Sequence, residues 1–354
     1  MIINSKSIEF RLADSPIPTY KPVMNYLNYF ISLPRCLILL GAMIVASSLS
    51  AQEKAAIPAF KKGDRICFFG DSIFHGGQIE ADVLLFYATR FPDAPLEVIN
   101  CGVAGDMASR AIPRLDWDLK ARKPNVTVLM LGMNDVGRWL YGKGKDTPAI
   151  APHRTHMLKK HFTYMDRIIN EIKAMNSKVI VCTPTPYDQT TKRKSYNIFG
   201  VNDALGLCAE NIYKKAGPNK WAVVDFYALM NRVSSEQQAK DPNFTMMGAG
   251  RVHPLASGHL LMTYALLKAQ GISPYITKIV LDSKKAIPVE TINCTLFGLK
   301  QTENSMRFDY LSKALPFPIS NEHRVVLDWV PFMADLNQEL LQVKNLQAGN
   351  YALL

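Results

Sequence analysis

The stretch "RICFFGDSIFHGGQ", residues 65–78, carries an apolar run that stops abruptly at Gly70-Asp71-Ser72. A buried strand that ends there would place the Ser72 hydroxyl at the tip of a sheet. Such a hydroxyl is either a nucleophile, once a neighbouring base takes its proton, or only the first residue of a turn. The rest of the sequence must decide between these two interpretations.

Three further polar motifs follow predicted strands or precede the last predicted helix. They are "NCGVAGD" (100–106), "GMND" (132–135) and "GRVHP" (250–254). Ligands of open α/β sheets bind at the carboxyl ends of the strands. Each motif alone is typical of a turn, but four of them at one edge of a sheet indicate a functional site.

The elements that would position these motifs alternate between short β-rich runs and longer amphipathic stretches. The predicted strands are 65–69, 96–101, 125–132, 178–184 and 221–226, and the clearest predicted helices are 153–175 and 256–271. This alternation predicts right-handed βαβ crossovers. We therefore expect an α/β fold whose mostly parallel sheet is covered by helices on both faces.

After about residue 273 the pattern changes to short strands and turns. We expect 273–354 to form a small β-rich C-terminal appendage on a main domain at 60–272. The last stretch, "LQVKNLQAGNYALL", resembles a hairpin whose second strand has just begun. Because a strand ending on exposed leucines leaves an unpaired apolar edge, we expect the gene to continue past residue 354.

The four motifs, in this order, resemble those of the SGNH hydrolases, also called the GDSL esterase/lipase family. That family carries a GDS serine, a glycine in an NxGxxG run, an asparagine in GxND and a histidine in DxxHP. The resemblance spans roughly residues 64–271 and implies a flavodoxin-like three-layer α/β/α sandwich with a parallel sheet. The competing serine-hydrolase motif, GxSxG, occurs nowhere in the sequence.

The resemblance implies that Ser72 is the nucleophile and His253 its general base. Histidine suits this role because its ordinary pKa lies near neutral pH. The oxyanion of the tetrahedral intermediate would be met by three fixed donors. These donors are the backbone N–H groups of Ser72 and Gly105 and the side-chain amide of Asn134. We expect Asp71 and Asp135 to hold the two loops that carry these groups.

One position departs from the family pattern. The acid of the triad normally precedes the histidine by three residues, and Gly250 stands there. Three alternatives remain: a dyad with a backbone carbonyl on the His253 N–H, an acid from the preceding loop, of which Asp241 is nearest, or a member that has lost catalysis. A positive φ at Gly250 would make aspartate costly at this position.

No metal site or cofactor is expected. His153, His156 and His161 lie on one predicted helix, and without a nearby cysteine or HExxH pattern they favour a solvated helix face. The five cysteines after residue 51 show no CxxC spacing, which favours buried, unpaired thiols.

The N-terminal stretch "RCLILLGAMIVASSLSAQ" combines a basic residue, an apolar run and small residues. This layout predicts a leader over 1–51 with a signal peptide cleaved near residues 50–51, hence a secreted or periplasmic protein with no stable membrane insertion after cleavage. An uncleaved anchor is the alternative. The net charge is +11, but the basic residues are scattered, so no nucleic-acid partner is expected.

We expect an exported serine esterase that acts through a Ser72 acyl-enzyme on a small-molecule or carbohydrate ester, with a carbohydrate O-acetyl ester favoured by analogy. The segments 138–152 and 185–199, the second with Tyr187 and Tyr196, either shape a sugar cleft or simply pack. The alternative is a carbohydrate-binding or scaffold protein that kept the fold. The acyl group, the alcohol and the oligomeric state stay open.

Overall fold

The computed structural model describes residues 5–12 and 56–354. The strands of this part are β1 Ser5–Leu12, β2 Arg65–Gly70, β3 Glu97–Gly102, β4 Val126–Met130, β5 Lys178–Cys182, β6 Ala222–Val224, β7 Tyr275–Asp282, β8 Ile287–Ile292, β9 Cys294–Gln301, β10 Ser305–Ser312, β11 Gln338–Lys344 and β12 Tyr351–Leu353. The α-helices are α1 Ser72–His75, α2 Gln78–Arg90, α3 Ala108–Ala111, α4 Ala151–Ala174, α5 Val201–Asn219, α6 Phe226–Gln238, α7 Ala256–Ala269 and α8 Phe332–Leu336.

Five strands form one parallel sheet in the order β3-β2-β4-β5-β6. All five strands that the sequence predicts for the main domain are confirmed, as are helices α4 and α7. The strand order is the flavodoxin-like one, in which the direction of winding reverses between β2 and β4. The loops after β2, β3 and β4, which carry three of the four motifs, therefore meet at the point where this fold opens a crevice.

Side chains that alternate along each strand separate two apolar cores. In β2, Ile66 and Phe68 belong to the core shared with α2, α6 and α7, whereas Cys67 and Phe69 belong to the core shared with α3 and α4. Successive side chains of a strand point to opposite faces, so a sheet covered on both faces needs apolar residues at every position. The predicted three-layer α/β/α arrangement is confirmed.

The C-terminal region adds the expected β-rich appendage as two sheets, ordered β11-β7-β8 and β12-β1-β10-β9. The hairpin expected at the end of the chain is wrong. β11 pairs in parallel with β7, while β12 pairs with β1 in the other sheet. Residues 345–350 carry the chain between the two sheets and replace the short turn that a tight hairpin needs. Leu353 and Leu354 are exposed.

Residues 5–12, part of the leader expected from the sequence, form β1 between β10 and β12. The sequence carries a signal for this strand, because Ile8 and Phe10 alternate with Glu9 and Arg11. Ile8 and Phe10 pack on the small apolar cluster around Phe308 and Tyr310. The apolar run expected to act as a signal peptide lies outside the described residues.

The five cysteines in the described part of the chain are buried, free thiols, as their spacing predicted. Within residues 5–12 and 56–354, no group of His, Cys, Asp or Glu side chains forms a metal-binding cluster. No helix in the same residues is long and apolar enough to cross a bilayer.

Candidate active site

Ser72 is the first residue of α1, directly after the carboxyl end of β2. The Asp71 Oδ1 accepts the Ile73 N–H at 3.0 Å and so caps the helix. Gly70 is required because a Cβ there would lie 2.4 Å from the Met130 carbonyl oxygen. The tight passage from β2 into α1 presents the half-buried Ser72 side chain at the edge of the sheet.

His253 faces Ser72 across this edge, with its Nε2 2.8 Å from the Ser72 Oγ. The histidine lies on a turn before α7, which the Gly248 N–H closes by donating to the His253 carbonyl oxygen at 2.8 Å. A bridge between Met247 and Pro254 pairs the two sides of the turn. The fold thus brings together two residues that are 181 positions apart in the sequence, within hydrogen-bond distance.

The three expected oxyanion donors lie at the starts of the segments that follow β2, β3 and β4, at the same edge of the sheet. In the described residues, the backbone N–H groups of Ser72 and Gly105 have no protein acceptor. Gly105 has φ +74°, a left-handed conformation that glycine adopts without strain. The Asn134 amide donates one hydrogen to the Asp106 carbonyl oxygen at 3.0 Å and keeps its second for a ligand.

The first half of the NxGxxG run holds α1 against β3. The Asn100 amide donates to the Phe74 carbonyl oxygen at 2.7 Å, and its oxygen accepts the Gly102 N–H at 2.8 Å. A Cβ at Gly102 would lie 2.2 Å from the His75 backbone nitrogen. Glycine at this position therefore allows the serine helix to approach the end of β3.

Arg114, which the sequence analysis did not single out, lies buried beneath the site. Its guanidinium pairs with the carboxylates of Asp106 and Asp118, and donates to the carbonyl oxygens of Cys101 and Gly70, each at 3.0 Å. It also lies over the Phe69 ring, 4.0 Å from the ring centroid. This one side chain ties together the ends of β2 and β3 and the loop that carries Gly105.

His161 corrects the expectation of a solvated helix face. It is 2% exposed, and its Nδ1 lies 3.2 Å from the Asp135 Oδ1, which also accepts the Ala108 N–H at 2.8 Å. Burial alone would lower the pKa of His161, but the Cys208 thiol and the Asp135 carboxylate raise it to about 10. The available signal was position, since His161 precedes Met165 by four residues on the apolar stripe of α4.

The second ring nitrogen of His253, Nδ1, has no hydrogen-bond partner among the described residues. The Asp241 carboxylate instead accepts the Asn243 N–H of its own turn at 2.9 Å. The left-handed residue of the turn is Arg251, with φ 61°, and Gly250 has no positive φ. A Cβ at Gly250 would meet no atom within 4 Å, so neither strain nor crowding excludes aspartate there.

Arg251 instead holds the histidine turn in place. Its buried guanidinium makes five hydrogen bonds to the segment 188–195: one to the Ser195 hydroxyl and four to backbone carbonyls. The Arg251 carbonyl oxygen accepts the Asp188 N–H at 3.0 Å in return. Two residues before His253, this network fixes the backbone from which the imidazole projects.

The electrostatics favour a neutral His253. Burial and the nearby Arg138 guanidinium both lower the pKa of His253 below its ordinary value. Burial also raises the pKa of Asp71 to about 7, and burial together with His253 lowers the pKa of His259 to about 4. His253 can therefore accept a proton from Ser72 at neutral pH.

Exposed aromatic side chains occur near the site motifs. Tyr187 is buried and its hydroxyl accepts the Ile198 N–H, whereas Tyr196 is 80% exposed. Trp139, at 61% exposed, follows Arg138 in the loop after β4. A cavity of about 370 Å³ opens beside Gly105 and is lined on its other side by the exposed Trp117.

Comparison with known proteins assigns this arrangement to a family. The model of the GDSL-like Lipase/Acylhydrolase family matches residues 68–261, more than half of the chain. The chain belongs to this family. The match confirms the resemblance to the SGNH hydrolases. It places the chain in the general class of carboxylic ester hydrolases.

Two relatives illustrate the family. The solved structure of a gut microbial diltiazem-metabolizing enzyme is 32% identical, with a TM-score of 0.73 over 81% of this chain and 67% of that chain. The acetylxylan esterase of Geobacillus stearothermophilus is 23% identical over 227 residues, which are 59% of this chain and 94% of that protein. The similarity to the solved structure thus covers a larger share of this chain than the segment that carries the four motifs.

We predict that His161→Ala lowers the free energy of unfolding by about 3–5 kcal/mol, because it leaves the Asp135 carboxylate buried without its cation. Urea denaturation followed by circular dichroism measures the change. His156→Ala, on the exposed face of the same helix, is the matched control and should stay within about 0.5 kcal/mol of the parent. Equal losses in the two variants would show that the buried pair does not stabilise the loop.

Proposed function

We propose that this chain is a serine esterase that hydrolyses a carbohydrate O-acetyl ester through an acyl-enzyme on Ser72. The observation that supports it best is the 2.8 Å approach of the His253 Nε2 to the Ser72 Oγ. The donors that we propose for the oxyanion are the backbone N–H groups of Ser72 and Gly105 and the second amide hydrogen of Asn134. A nucleophile, a base and donors for an oxyanion are the parts that acyl transfer needs.

In the first half of the reaction, the Ser72 Oγ attacks the ester carbonyl carbon while its proton passes to the His253 Nε2. The carbonyl oxygen becomes an oxyanion and accepts hydrogen bonds from the Ser72 and Gly105 N–H groups and the second Asn134 amide hydrogen. Collapse of this intermediate breaks the bond to the alcohol oxygen. The alcohol leaves with the proton from Nε2, and the acyl group stays on Ser72.

In the second half, His253 takes a proton from a water molecule, whose oxygen attacks the carbonyl carbon of the acyl-enzyme. Collapse of this second intermediate breaks the bond to the Ser72 Oγ, which recovers the proton from Nε2 as the acid is released. In both halves the imidazolium exists briefly, and in this chain its Nδ1–H faces no carboxylate. His253 is an exposed residue, so in the proposed mechanism this N–H donates to solvent. The backbone turn that Arg251 holds supplies the orientation that a triad acid supplies in other serine hydrolases.

The choice of a carbohydrate ester has two supports. The curated relative is an acetylxylan esterase, and the exposed Trp117, Trp139 and Tyr196 offer rings on which a sugar can stack. The cavity of about 370 Å³ beside Gly105 is large enough for part of a small alcohol group. The acyl group we propose is acetyl, by analogy with that relative.

We also propose that the protein is exported, because the apolar run before residue 51 is typical of a signal peptide. Cleavage near residues 50–51 would remove β1, and β12 pairs only with β1 among the described strands. Cleavage of a signal peptide would therefore remove a central strand of the four-stranded sheet, whereas the intact sheet contains residues 5–12.

The second candidate is a binding protein that has lost catalysis, which Gly250 favours because the triad acid is missing.

We predict that Ser72→Ala lowers kcat for aryl acetates by roughly 10³-fold or more while the unfolding midpoint stays close to the parent's. The exposed Ser235→Ala is the matched control, with parental kcat. A parent that hydrolyses no short-chain aryl ester would favour the binding protein, and a Ser72→Ala variant with parental kcat would exclude Ser72 as nucleophile.

We predict that kcat/KM falls with acid through a single ionisation whose pKa lies below about 6.5. His253 must be neutral to accept the serine proton, and its pKa is lowered by burial and by Arg138. His259 stays neutral above about pH 4. Because burial raises the pKa of Asp71 to about 7, the profile is also measured in Asp71→Asn, which keeps the helix-capping oxygen. An ionisation above 6.5 that survives in Asp71→Asn would contradict this description of His253.

A further inference from the structure

Arg138 differs from the other arginines of the site in what its guanidinium contacts. The buried guanidiniums of Arg114 and Arg251 are surrounded by carboxylates or carbonyl oxygens. Arg138 is half-buried, and among the described residues its guanidinium makes one hydrogen bond, from Nη2 to the Asn134 Oδ1 at 3.4 Å. It forms no ion pair with any described carboxylate. Most of its five N–H donors are therefore free for a ligand.

The position of Arg138 places this cation at the reacting groups. It follows Asn134, an expected oxyanion donor, by four residues and lies beside its side chain. The guanidinium is also close enough to affect three other groups: it opposes the effect of burial on the pKa of Asp71 and of Tyr187, and adds to the effect of burial on His253. A ligand on Arg138 would therefore lie next to the ester that Ser72 attacks.

The charge balance around His253 has a consequence for catalysis. The imidazole faces Ser72, the Arg138 cation and the neutral His259 on α7, and Gly250 stands where the family has an acid. The positive charge that His253 gains during acyl transfer is thus opposed by Arg138, and no carboxylate of the described residues forms a hydrogen bond with the imidazole. An anionic group bound to Arg138 would neutralise this cation and ease the formation of the imidazolium.

We propose that Arg138 is a specificity-determining residue that binds a carboxylate of the substrate, so that the esterase prefers esters carrying a carboxylate close to the scissile bond. The proposal rests on the proposed esterase function and deepens it. A guanidinium matches a carboxylate with two parallel hydrogen bonds, which neutral esters of the same shape cannot form. The carboxylate lies on either the alcohol half, as in an acidic sugar, or the acyl half, as in a dicarboxylic half-ester.

Paired substrates test the proposal and distinguish the two halves. The alcohol arm compares para-acetoxybenzoate with neutral para-acetoxybenzamide, and the acyl arm compares mono-para-nitrophenyl glutarate with para-nitrophenyl butyrate. We expect kcat/KM to favour the anionic member by about ten- to a hundredfold in one arm, the range of a charge-assisted hydrogen bond. Arg138→Gln should abolish that preference, and Arg232→Gln, an exposed arginine on α6, should keep it.

Three kinetic outcomes would overturn the proposal. They are the absence of an anionic preference in both arms, a preference that survives in Arg138→Gln, and an equal loss on anionic and neutral esters in that variant. The last result would make Arg138 a donor to the oxyanion instead. Hydrolysis of the neutral esters alone leaves the esterase function standing while the anion site fails.

A binding measurement covers the case in which no ester is hydrolysed, so that the two failures stay distinguishable. In Ser72→Ala, NMR titration of the His253 ring follows its pKa with and without benzoate, and benzamide is the neutral control. Benzoate should raise this pKa because it neutralises Arg138, and the rise should vanish in Ser72→Ala/Arg138→Gln. An unchanged pKa with benzoate would refute the anion site whatever the catalytic activity.

Discussion

The buried Arg114 guanidinium is the constraint on which the rest of the site depends. It bonds the last carbonyl of β2, a carbonyl near the end of β3 and the carboxylate of Asp106, so three chain segments must meet around one cation. Removing one partner of such a buried network leaves an uncompensated charge, which typically costs about 3–5 kcal/mol. Ser72 follows the first of these segments and Gly105 belongs to the third, so their distance is set beneath the site and away from solvent.

A second set of buried interactions fixes the remaining groups. The pair of His161 and Asp135 holds the loop after β4 against α3 and α4, and this loop carries Asn134. Arg251 holds the turn that carries His253. Each segment that carries a proposed reacting group is thus held by a buried charged residue that does not itself face the substrate. This arrangement leaves Ser72 half-buried and His253 exposed, so both are open to a substrate. In the proposed mechanism, the turn held by Arg251 orients His253 in place of the acid that is missing at Gly250.

The sequence predicted the parts of this protein whose signal is local. Apolar runs and amphipathic periodicity identified the strands and helices of the main domain, and the four motifs identified Ser72, Gly105, Asn134 and His253 as a group. The same local reading missed β1, whose alternating Ile8 and Phe10 belong to a strand that pairs with residues about 300 positions away. The alternation indicates a strand, but nothing in the neighbouring sequence indicates which distant strand it pairs with.

The sequence did not predict the roles of Arg114, Arg251 and His161 for a related reason. A charged residue in a helix or loop is expected on the solvated surface unless its buried partners are known. Those partners belong to other elements of the fold. Arg138 is the clearest case of a residue that the sequence does not single out. Its proposed role depends on a carboxylate of the substrate, because no described residue supplies one.

The central claim is that Ser72 is an activated nucleophile although His253 lacks a carboxylate partner. A fluorophosphonate probe tests it directly, since such probes react with a serine only when a base removes its proton. Peptide mass spectrometry after treatment of the full chain should find one phosphonyl adduct, on the peptide that contains Ser72, and much slower labelling in His253→Asn. No adduct on Ser72, or labelling at the same rate without His253, would contradict the account.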